Sequence, residues 1–233
     1  MSRPVDIDLR KARSLTKAGR LAEAENIYLQ ILQKFPKNKK AIESLRKLSG
    51  GNGPTSRVHP EAPKKQIQEL ISLYNQGRFE ETSSLAQQLS KLFPSAFMVF
   101  SIMGASNASL GHLNQAEDNY RQTLQLKPDY ADAHNNLANV LQQKGDLEAA
   151  IISYQKAIEL KPGYSEAHAN LGNALKALGE TEKAVSSYQR ALKIQPNNPE
   201  NLNSLGVTQQ AVGALDDAIQ NYKRAIELMP DYV

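Results

Sequence analysis

Between Ala131 and Gly145 the chain reads ADAHNNLANVLQQKG, where Asn135, Asn136, Asn139, Gln142 and Gln143 carry carboxamides and Asp132 a carboxylate. A carboxamide offers a donor and an acceptor side by side, the same pair that a peptide group offers. Set along one face, such side chains can hydrogen-bond the main chain of an extended segment whatever that segment's own side chains are. Comparable places recur further along, with Glu166, Asn170, Asn173 and Lys176 in one later stretch and Asn203 and Gln210 in the next. The predicted peptide-binding groove is therefore Asp132, Asn135, Asn136, Asn139, Gln143, Glu166, Asn170, Asn173, Lys176, Asn203 and Gln210. The same amides would also serve as polar residues on an exposed helix face.

Other chemistries find less support. With no cysteine, the chain has no disulfide, zinc–thiolate site or thiol nucleophile. His134 and His168 occupy matching places in successive stretches, which on neighbouring helices means about 10 Å, too far to share a metal. The run GGNGPTS, at positions 50–56, lacks the Gly-Lys-Ser/Thr ending of a phosphate loop and follows no strand pattern. No triad or carboxylate pair stands apart from the repeat pattern, so neither an enzyme, a cofactor nor a metal is expected. Lys176 is the one basic residue among the groove positions, which argues against a clamp for an acidic carboxyl terminus, since that needs several cations.

The amides must be held by something regular, and the chain repeats itself. Glycines at 77, 111, 145, 179 and 213 and prolines at 94, 128, 162, 196 and 230 each recur with a period of 34. In the unit 131–164, Ala133, Leu137 and Leu141 are spaced as on a helix, and Gly145 follows where a left-handed closing residue is wanted. A second helical pattern, LEAAIISYQKAIEL, then runs to Pro162. Each unit is thus two helices of about 13 residues, roughly 20 Å long. Small residues recur at Gly104, Ala138, Gly172 and Gly206 and at Ala116, Ala150, Ala184 and Ala218, with a ring at Tyr120, Tyr154, Tyr188 and Tyr222. Small positions let the helices approach and the tyrosine fills the gap between them. Neither helix buries its apolar stripe alone, so the units must stack.

The order Leu137, Ala138, Gly145, Ala150, Tyr154, Ala157, Pro162 resembles the tetratricopeptide repeat (TPR). The resemblance covers residues 5–38, 63–96, 97–130, 131–164, 165–198 and 199–232. It implies an all-α fold, a right-handed superhelical solenoid of antiparallel helix pairs, serving as a protein–protein interaction scaffold. In the last four units the family's early tryptophan is replaced by Phe100, His134, His168 and Leu202. In the unit 63–96 the small positions hold Leu70 and Thr82 and the tyrosine position holds Ala86. Asn136 and Asn170 are similar to the asparagine ladder in the TPR arm of O-GlcNAc transferases, and this likeness implies a grip on a substrate's backbone. Bacterial proteins with similar repeats continue into glycosyltransferase, sulfotransferase or methyltransferase domains, so a recruiting arm of a larger enzyme is the alternative expectation.

Residues 1–48 are expected to form an N-terminal TPR-like module with an extra helix, 49–62 a flexible linker rich in Gly, Pro and Ser, and 63–233 five tandem repeats. Charge divides along similar lines: residues 1–64 hold 14 Lys+Arg against 6 Asp+Glu, the remainder 14 against 18. The basic helix bearing Arg10, Lys11, Arg13, Lys17 and Arg20 has no interleaved aromatic residue, so nucleic acid is not the expected partner. A protein or peptide partner is, together with self-association through the uncapped last repeat or the N-terminal module. The start MSRPVDIDLRK has no signal-like apolar run, and the most apolar stretch, 96–105, is too short to cross a bilayer. A cytoplasmic protein without a transmembrane segment is expected.

Overall fold

The punctuation by glycine and proline yields helical hairpins. The computed structural model describes residues 4–35, 38–48 and 62–230, so the expected linker, apart from Ala62, lies outside the described residues. Among them are thirteen α-helices and no strand. They are α1 (Pro4–Lys17), α2 (Leu21–Lys34), α3 (Lys39–Leu48), α4 (Lys64–Asn75), α5 (Phe79–Leu92), α6 (Phe97–Ser109) and α7 (Leu113–Leu126). Then follow α8 (Ala131–Gln143), α9 (Leu147–Leu160), α10 (Ser165–Ala177), α11 (Thr181–Ile194), α12 (Pro199–Ala211) and α13 (Leu215–Leu228). None is long and apolar enough to cross a membrane.

Each hairpin closes by the same device. After α8, Asp146 N–H donates to Leu141 O and Gly145 N–H to Gln142 O, both at 3.0 Å. This pairing satisfies the last carbonyls and requires the left-handed backbone that Gly145 supplies at φ 85. Asp146 then caps α9, its Oδ1 accepting from Ala149 N–H at 3.2 Å.

The described residues form two compact units, one of 4–35, 38–48 and 91–95, the other of 62–90 and 96–230. In the first, Leu9, Ala12, Ala24, Tyr28, Ile31, Leu32 and Ala41 form a buried cluster across α1, α2 and α3. In the second, α6–α7, α8–α9, α10–α11 and α12–α13 pair as hairpins, and α7, α9 and α11 each pack on the first helix of the next hairpin. Their shared core runs through Ala116, Tyr120, Leu137, Ala138, Ala150, Tyr154, Leu171, Tyr188 and Leu205. First helices also touch first helices, α6 with α8 and α8 with α10. This contact sets the α8 and α10 amide faces side by side.

The small positions work as their spacing predicts. A Cβ on Gly172 would stand 2.9 Å from the Tyr188 ring and one on Gly206 2.7 Å from the Tyr222 ring. In the unit 63–96, Leu70, Thr82 and Ala86 are all fully buried. The second helix of the last hairpin differs from its predecessors. Leu215, Ile219 and Ile226 on α13 are 56%, 50% and 54% exposed. The places of Ile219 and Ile226 are held in α9 by Ile151 and Ile158 and in α11 by Val185 and Leu192, all packed against the core under the next hairpin.

Candidate functional site

Side by side, α8 and α10, with Tyr154 of α9, form an open cavity of about 460 Å³ lined by Asn139, Gln142, Gln143, Tyr154, Glu166, Asn170 and Asn173. Five of the eleven predicted groove residues meet there: Asn139, Gln143, Glu166, Asn170 and Asn173. Glu166 is the one charged residue in the lining.

The amides are joined to one another. Asn135 Nδ2 donates to Glu166 Oε1 at 3.3 Å. Asn170 Nδ2 reaches back from α10 to Asn135 Oδ1 at 3.4 Å and Asn139 Oδ1 at 3.2 Å. Tyr154 O–H lies 2.5 Å from Asn139 Oδ1 and 2.9 Å from Gln142 Oε1, and its single proton serves one of them at a time. In the next repeat Tyr188 O–H donates to Asn173 Oδ1 at 2.7 Å, and in the last Tyr222 O–H to Gln210 Oε1 at 3.1 Å. Among the described residues Asn139 Nδ2 and Asn173 Nδ2 have no acceptor, and neither is shut away from solvent.

The other predicted residues fall elsewhere. Asn135, expected on the groove surface, is fully buried, its carboxamide committed to Glu166, Asn170 and, at 3.5 Å, Asn136. A buried amide has to find its partners inside the protein, so Asn135 supports the wall without forming its surface. Asn136 is half-buried, and its Oδ1 accepts from Asn135 Nδ2 at 3.5 Å. Asp132 faces Lys161 Nζ at 3.7 Å, Asn203 is half-buried, and Lys176 and Gln210 are exposed. None of Asp132, Asn135, Asn136, Lys176, Asn203 and Gln210 lines the cavity.

Tyr154, read from sequence as a packing ring, is part of the lining. The available signal was that the ring at 120, 154, 188 and 222 is always tyrosine and never phenylalanine. Burial pushes the Tyr154 phenol far above its ordinary value, with Glu166 adding to the shift, and pushes that of Tyr188 to about 12. These hydroxyls therefore stay protonated donors.

Around the cavity, the histidines pack as structural groups. His134 Nε2 lies 2.9 Å from Pro128 O and His168 Nε2 3.1 Å from Pro162 O, each tying a first helix to the end of the preceding hairpin. Tyr130 packs edge-on against Phe97, and Lys161 Nζ sits 4.1 Å over the Tyr164 ring. No cluster of three potential metal ligands occurs among the described residues.

Comparison with known proteins agrees with this architecture. Models described as tetratricopeptide repeat match residues 6–38, 129–197 and 164–231, and one described as TPR repeat matches 107–145. No curated protein sequence matches the chain. Among solved structures, a crystal structure of MamA superposes with a TM-score of 0.64 at 24% identity, covering 68% of this chain and 93% of that one. MamA from Desulfovibrio magneticus RS-1 gives 0.66 at 19% identity over 72% and 96%. YrrB, described as a TPR protein with an unusual peptide-binding site, gives 0.62 at 20% identity over 73% and 88%.

Proposed function

Since the chain belongs to the tetratricopeptide-repeat family, we propose that it is a protein–protein interaction scaffold holding an extended peptide segment against the amide wall of α8 and α10. The observation that carries this reading is the cleft of about 460 Å³ in which Asn139 Nδ2 and Asn173 Nδ2 have no partner among the described residues. An unsatisfied donor lining a cleft is a site where a ligand carbonyl replaces water. Around it the wall offers amides and one carboxylate and no acid–base pair, so the chemistry supplied is recognition and not turnover. The peptide-binding site named for YrrB lends the reading support by analogy.

The test is to select a binder from a displayed random-peptide library and titrate it calorimetrically. Asn139→Ala, Asn170→Ala and Asn173→Ala combined should weaken that peptide at least tenfold, since each lost hydrogen bond is worth about 1 kcal/mol. The helical circular-dichroism spectrum should be unchanged. Equal affinity would reject the groove.

The α13 face favours a second, compatible reading. Its exposed stripe Leu215, Ile219 and Ile226 joins two copies of the chain, α13 against α13, in the way a following first helix covers the same face in the hairpins before it.

A further inference from the structure

The amide network has a direction, and one residue sets it. A carboxylate accepts hydrogen bonds and does not donate them, so the group that Asn135 turns to Glu166 Oε1, 3.3 Å away, is its N–H₂. The carbonyl of Asn135 is then left facing Asn170 at 3.4 Å, which obliges Asn170 to present its own N–H₂. That N–H₂ meets Asn139 at 3.2 Å, so Asn139 presents its carbonyl, the end that the Tyr154 hydroxyl also addresses. Rotating Asn135 alone by half a turn would set carbonyl against carboxylate, rotating Asn170 alone would set its carbonyl against two others, and rotating Asn139 alone would set N–H₂ against N–H₂.

We infer that Glu166 is the positioning residue of the wall, fixing the polarity with which Asn135, Asn170 and Asn139 stand. The consequence, which rests on the groove reading above, is that the wall takes a peptide group in one sense. Asn139 Nδ2 is turned outward for a ligand carbonyl, and Asn170 Oδ1 is turned outward for a ligand N–H. Without Glu166 each amide could present either end, and segments of both directions would fit.

The experiment needs no ligand, so its failure is separate from failure of the groove reading. Asn139→Asp and Asn170→Asp are made in the full chain, each alone and each combined with Glu166→Gln, and thermal midpoints are recorded by circular dichroism. The carboxylate of Asn139→Asp still accepts from Tyr154 and Asn170, so this variant keeps nearly the parent midpoint. The carboxylate of Asn170→Asp cannot donate to the two carbonyls it faces, so this variant falls below Asn139→Asp by roughly 5 °C. In the Glu166→Gln background residue 166 can itself donate, the chain of amides can reverse, and the gap should shrink by at least half. Equal midpoints for the two single aspartate variants would overturn the polarity. A gap that survives unchanged in Glu166→Gln would overturn the role of Glu166. Both changes lie on half-buried side chains, and a failure of Asn170→Asp to fold, with Asn170→Asp/Glu166→Gln folding, counts as the predicted rescue. If neither folds while Asn139→Asp does, Glu166 is not the determinant.

Discussion

The Tyr154 hydroxyl closes a core and faces a cavity at once. The residue is 1% exposed, yet its oxygen reaches Asn139 and Gln142 in the lining. The same pairing of buried ring and wall amide recurs at Tyr188, whose hydroxyl holds Asn173. These phenols give a pH dependence of definite sign. Burial raises Tyr188 from 10.0 to about 12 in the folded chain, while the unfolded chain retains the ordinary value. Below pH 10 both states are protonated and the contribution is complete. Between 10 and 12 the unfolded state alone loses the proton, so stability falls as pH rises. Ultraviolet absorbance should therefore show buried tyrosinate appearing together with loss of helical ellipticity, above about pH 10. Ionisation of the Tyr188 phenol while the helical ellipticity is retained would contradict its burial. At this scale the sequence was only partly legible. It shows that Asn135 and Asn136 are adjacent but not which one turns inward. The repeat itself held a clue, since the equivalent of Asn135 is Ala169, also buried at 8% exposure. The bonds between amides on different helices depend on how closely α8 approaches α10, which no single-repeat pattern encodes.

Helices and turns were far more legible, because their determinants are local. The regular return of glycine and proline places the hairpins from α6–α7 to α12–α13, and the extra helix read from NKKAIESLRKL is α3, Lys39–Leu48. The packing of first on second helix within a hairpin turns on one close approach. Gly172 lies against the Tyr188 ring, which is fully buried and held by its hydroxyl. Replacing Gly172 by Ala gains about 1 kcal/mol of helix propensity and loses a similar amount in moving the ring, as Ala138 shows to be tolerable at the same place in α8. Gly172→Leu has no such compensation and should cost about 2 kcal/mol by overpacking. Urea unfolding would check both, and a Leu variant as stable as the parent would mean that α10 and α11 are less tightly joined than the ring contact implies. Neighbouring hairpins are tied as well. Glu117 receives Lys144 Nζ from the end of α8 at 2.6 Å, and this bond, with Arg121 beside it, holds its carboxyl below the usual range.

Across the array from α6 to α13, each hairpin but the last has one face covered by its successor. That the chain must stack followed from amphipathic helices too narrow to bury themselves. The sequence also shows Ile102 and Ser204 at the positions equivalent to Asn136 and Asn170, so those two carboxamides do not recur in the repeats on either side. The segment 49–61 offered no such regularity, its Gly, Pro and Ser composition naming a class of chain and not a course. The α13 reading makes a concentration-dependent prediction. Multi-angle light scattering should show dimer growing with protein concentration, and Ile219→Glu with Ile226→Glu should abolish it without disturbing the α8–α10 cavity. A monomer at every concentration would reject the α13 contact and leave the groove untouched.

The bonds from Asn170 to Asn135 and Asn139 span two successive coils of the array, and at 3.4 and 3.2 Å they are already near the length at which a hydrogen bond fails. A pull along the axis that parted α8 from α10 by a further ångström would sever them while every helix stayed intact. The wall would then gain unpaired groups under tension and lose them on release.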